Sequence, residues 1–79
     1  MDYLNNLLRE TFPHMWGELT DRQQLLVALD VLWMAEPETP TDPGIRVPDA
    51  AVTLRSRIGG ADVLPSYART LEAEYLNRR

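Results

Sequence analysis

Few side chains in this sequence could do chemistry, and their spacing decides whether any of them can act together. There is one histidine, His14, and two serines, Ser56 and Ser66. A nucleophile–base pair would need His14 beside one of those serines and an acid behind it. Neither serine stands between glycines in the sharp turn that exposes such a nucleophile. Carboxylates two residues apart occur at Glu36 and Glu38 and at Glu72 and Glu74. Positions two apart do not face each other on a helix, and the first pair lies among prolines, so both pairs read as solvated surface. One imidazole without cysteines does not make a metal site. Gly59-Gly60 lacks the lysine of a phosphate loop and suits a helix end instead. The expectation is a protein that is not an enzyme and takes no cofactor or metal.

Charge narrows the partners. Residues 1–49 carry nine acids and three arginines, and residues 50–79 carry three acids and five arginines, which gives the net −4 of the whole chain. All eight basic residues are arginine. Arg55, Arg57 and Arg69, with Tyr67 nearby, could touch a phosphate. A strip broad enough to neutralise many phosphates is missing, which argues against direct nucleic-acid binding. An acidic half keeps a chain soluble or meets a basic protein surface.

Seventy-nine residues make one domain. A chain of this size buries only about 60% of the surface its unfolded form exposes, so self-association or a partner would help it. The absence of cysteine fits a reducing compartment. No basic-then-apolar leader opens the sequence, and no apolar run approaches the roughly 20 residues that span a bilayer. The expectation is a cytoplasmic protein with no membrane partner.

The elements that must position these residues are helical. Leu4, Leu7, Leu8 and Phe12 recur at helical spacing, with Asp2 as a cap and Pro13 as a stop, which predicts a helix over about 2–12. Thr20 and Gln23 form a capping box for a second helix over 21–35, ended by Pro37. Residues 36–47 read as a proline-rich crossover loop with a turn at Asp42-Pro43-Gly44. Residues 49–58 have helical end signals at Pro48-Asp49 and Gly59-Gly60, although the alternation of Val52, Leu54 and Ile58 would also suit a strand and an α+β fold. A last helix over 62–77 starts at Asp62 and carries Leu64, Ala68, Leu71 and Tyr75 on one face. The fold class expected is all-α, a small bundle of three to four short helices with one proline-rich crossover.

The second helix holds the sharpest question. Its stretch LLVALDVLWMA places Asp30 among ten apolar residues. At about 100° per residue, Leu25, Ala28, Leu29, Leu32 and Ala35 share one face, which the pattern assigns to the core. Leu26, Val27, Trp33 and Met34 surround Asp30 on the other face. A helix apolar all round is normally covered on both sides, and this chain has little material for that. Three arrangements would cover it. The crossover loop and the fourth helix could lie over it, with Asp30 paired to an arginine such as Arg55 or Arg57. It could be the seam of a homodimer. It could dock a different protein, with Trp33 and Met34 as anchors and Asp30 as the charge that selects the partner. A desolvated carboxylate without a partner is costly, so each arrangement obliges Asp30 to have one.

The candidate binding residues are therefore Leu26, Val27, Asp30, Trp33 and Met34. The function expected is a protein-binding module that acts stoichiometrically on another macromolecule. Small inhibitors of host proteins or enzyme complexes, of the kind phages and mobile elements encode, have this look. A structural or assembly subunit, or an antitoxin-like protein stable mainly within an oligomer, is the alternative.

Overall fold

A computed structural model describes residues 2–36 and 46–77. Four α-helices follow one another: α1 (Asp2–Thr11), α2 (Asp21–Ala35), α3 (Val47–Ile58) and α4 (Leu64–Asn77). Single 3-10 turns at Trp16–Glu18 and Ala61–Val63 link α1 to α2 and α3 to α4. There is no strand among the described residues. The chain is an all-α bundle in which α2 packs against α3, α4 and α1. The residues that also suited a strand form α3. The predicted crossover at 36–47 loses Val47 to α3, and its proline-rich centre at 37–45 lies outside the described residues.

Local chemistry explains the ends. The capping box at Thr20 forms in both directions: the Gln23 backbone N–H donates to Thr20 Oγ1 at 3.2 Å, and the Thr20 N–H donates to Gln23 Oε1 at 3.0 Å. Helix α3 starts two residues before the Asp49 expected to open it, because Pro48 fits the first turn, where no N–H partner is required. Its C-terminus closes on Gly59, at φ 103°. The Gly60 N–H reaches the Arg55 carbonyl and the Gly59 N–H reaches that of Ser56, the paired bonds of a Schellman end. Asp62 does not cap α4 from its side chain; it sits in the 3-10 turn, and Pro65 occupies the first turn of the helix.

The core is built from Leu4, Leu8 and Phe12 of α1, Val27 and Val31 of α2, Ala51 and Leu54 of α3, and Leu64 and Ala68 of α4. Trp16, from the connector, joins them and is the largest fully buried side chain. Each buried leucine, valine or phenylalanine among them contributes about 1.5–3 kcal/mol, and the alanines less. The indole N–H of Trp16 donates to Asn5 Oδ1 at 2.7 Å, and its carbonyl accepts from Gln24 Nε2 at 2.8 Å, so burial leaves its polar groups satisfied.

Helix α2 corrects the expected orientation. Leu25 and Leu32, assigned to the core by spacing, are exposed, and Leu29 is half-buried. Ala28 is buried and Ala35 packs against the core, as expected, while Val27 and Val31 face inward in place of the leucines, with Met34 packed against the core beside them. The buried face is turned by about one residue, or about 100°, from the one expected. An all-apolar helix offers no direction of its own. The face that carries Val27, Ala28 and Val31 packs into the bundle, where α4 and α3 are the main neighbours of α2, and Leu25 and Leu32 are left on the outer side.

Candidate functional site

The outward leucines of α2 meet the end of α4. Tyr75 and Leu76, expected as part of or beside the α4 core stripe, are exposed because α4 carries them beyond the buried positions Leu64 and Ala68. Together Leu25, Leu29, Leu32, Trp33, Tyr75 and Leu76 make one strip across the two helices. Trp33 is 74% exposed, more than any other large apolar side chain described.

An open cleft of about 310 Å³ crosses the strip. Leu26 and Leu71 form its floor, Trp33 and Tyr75 stand at its sides, and the carboxylates of Asp30 and Glu74 line it. The cleft continues past Leu25 and Leu76 toward Arg22 and Glu72, and past Leu32 toward Glu36. Glu72 is held in place by Gln23, whose side-chain amide donates to Glu72 Oε1 at 2.8 Å and so ties α2 to α4.

Asp30 lies half-buried at the boundary between core and strip. Its Oδ2 accepts the hydroxyl of Tyr67, three residues after Leu64 on the same side of α4. Burial raises the Tyr67 phenol above its ordinary range; the hydrogen bond to Asp30, the charge of Asp30 and the charge of Glu74 add to the rise, and Arg57 opposes it. Asp30, Tyr67 and Glu74 therefore form one electrostatic group. The described partner of Asp30 is a phenol and not an arginine. Arg55 donates elsewhere, to the Thr11 carbonyl at 3.3 Å at the end of α1, and Arg57 is exposed.

The five candidate binding residues separate accordingly. Trp33 stands out from the strip, and Asp30 and Leu26 line the cleft. Val27 has no exposed surface and belongs to the core, out of reach of a partner, because the inward face of α2 runs through it. Met34 packs against the core as a half-buried side chain and not as an outward anchor. Leu25, Leu29, Leu32 and Tyr75 join the surface although their helical spacing had pointed to core, and Leu76 joins them.

The residues of the alternative chemistries stay apart or exposed. His14 is exposed in the connector after α1, and Ser56 and Ser66 are exposed on α3 and α4. Each serine has a structural neighbour: Ser66 Oγ accepts from Arg69, and the Ser56 carbonyl accepts the Gly59 N–H. Among the described residues no group of three His, Cys, Asp or Glu side chains could hold a metal ion, and no helix is long and apolar enough to cross a membrane. A second cleft, beside Leu4, Trp16 and Ala28, is lined by the hydrogen-bonded Asn5 and Gln24 side chains, whose bonds serve the Trp16 connector. Comparison with protein-family models, with curated proteins and with solved structures gave no match to this chain.

Proposed function

We propose that this protein is a non-enzymatic binding module that engages another protein stoichiometrically through the strip formed by α2 and the end of α4. One observation carries the reading. Trp33, the most exposed large apolar side chain among the described residues, stands at the edge of a cleft whose other members are mainly apolar and whose polar members are carboxylates. Tryptophan is enriched among residues that dominate binding energy, and a central aromatic anchor ringed by polar groups is the usual anatomy of a docking patch. The class of action that suits it is that of a small inhibitor or adaptor, which blocks or bridges by occupying a surface.

Affinity capture from the native host, with the wild-type chain and with Trp33→Ala as parallel baits, tests this. The wild type retains a discrete partner that Trp33→Ala loses, while far-UV circular dichroism of the two chains coincides. If Trp33→Ala captures the same proteins as the wild type, the strip is not the docking surface.

A further inference from the structure

We infer that the occupant of the strip is a basic amphipathic segment of another protein, with apolar residues against Leu29, Trp33 and Tyr75 and an arginine or lysine entering the cleft between Asp30 and Glu74. The inference rests on the docking reading above and adds the chemistry of the partner. The described lining of the strip carries Asp30, Glu36, Glu72 and Glu74 against a single cation, Arg22. A desolvating apolar surface ringed by carboxylates favours a partner that brings its own cations, since like charges brought together at an interface are repelled.

The cleft suits a cation in a second way. Trp33 and Tyr75 present aromatic rings beside the two carboxylates. A guanidinium or ammonium there gains attraction from the ring faces as well as from the anions. Tyr67 binds only one oxygen of Asp30, and a carboxylate accepts on both. Glu74 is exposed on the last turns of α4 and can turn toward an incoming cation.

A second copy of this chain is a poorer occupant. A two-fold seam applies the same patch to itself, so the carboxylate rim of one copy would face the rim of the other. Of the residues that line the strip, Arg22 alone is a cation on each side, against four carboxylates.

The test uses three synthetic helical peptides with one shared leucine stripe, flanked by arginine, by glutamine or by glutamate. Trp33 fluorescence reports binding, because Trp16 is buried and the signal change comes from the exposed indole. The arginine peptide binds about tenfold tighter than the glutamine peptide, the glutamate peptide binds weakest, and the preference shrinks as salt is raised and the charges are screened. Glu74→Gln, at an exposed position on α4, reduces the ratio of arginine-peptide to glutamine-peptide affinity, and adding Asp30→Asn reduces that ratio further. Equal affinity for the arginine and glutamine peptides would overturn the basic-partner inference and leave the docking strip standing. Failure of all three peptides also overturns it, and sedimentation then asks whether the strip closes on a second copy. The docking reading itself stands or falls on the Trp33→Ala capture.

Discussion

The hydroxyl of Tyr67 on α4 donates to Asp30 on α2, and this bond meets the charge in the most apolar stretch of the sequence. It joins two helices at the edge of the core and fixes one side of the cleft that the strip presents.

Removing the donor by Tyr67→Phe costs about 1–3 kcal/mol at neutral pH, because a half-buried carboxylate loses its hydrogen bond. The folded phenol is raised above its ordinary value, so its contribution is complete below about pH 10, where the unfolded phenol is still protonated, and is lost as pH rises through the folded value. Urea denaturation of wild type and Tyr67→Phe across this range checks the sign: the gap between them narrows above about pH 10. A gap that widens with alkali would mean that Tyr67 is not the donor.

The two faces of α2 should respond in opposite ways. Val27→Ala removes packed core volume and costs about 1–3 kcal/mol, whereas Leu25→Gln, on the outer face, stays within about 0.5 kcal/mol of the wild type. Chemical denaturation of both variants decides which face is core. The reverse ranking would restore the orientation expected from spacing.

Trp16 anchors the connector between α1 and α2. Trp16→Ala leaves a large cavity and strands the Asn5 carbonyl, at a cost of about 3–5 kcal/mol. Trp16→Phe keeps most of the volume and loses the hydrogen bond, so it costs less. A thermal melt of each variant separates the packing part from the polar part.

Backbone geometry gives a prediction of its own. Gly59 holds φ 103°, and a Cβ there would meet only Val63 Cγ2 at 3.8 Å. Gly59→Ala is therefore opposed by backbone strain and not by crowding, at about 1–2 kcal/mol. His14, at φ 69°, is in the opposite position, and His14→Gly is neutral or stabilising by up to about 1 kcal/mol. Melting temperatures that move in opposite directions, or move only for Gly59, would agree with this.

The elements were legible in the sequence because their signals are local. Capping at Thr20 and Gln23, a glycine pair after Ile58 and prolines at turn positions each act within a few residues. The orientation of α2 was not legible for a physical reason. Apolar residues surround that helix, so spacing alone could not choose between the Leu25 face and the Val27 face, and packing against the other helices, mainly α4 and α3, made the choice. The pairing of Asp30 with Tyr67 spans 37 positions and depends on how α4 crosses α2. Arginine was the expected partner on grounds of charge, and the sequence holds no sign that a phenol would take its place. Trp16 was hidden because a connector without periodicity gives no burial signal.

Docking through the α2–α4 strip is tested most directly by placing a photo-crosslinking phenylalanine derivative at position 33 and, in a separate sample, at position 52. Val52 is also exposed and apolar but lies on α3, away from the strip. Irradiation in the native host should join position 33 to one discrete protein and leave position 52 without that product. Identical products from both positions, or adducts only between copies of this chain, would contradict docking of another protein at this surface.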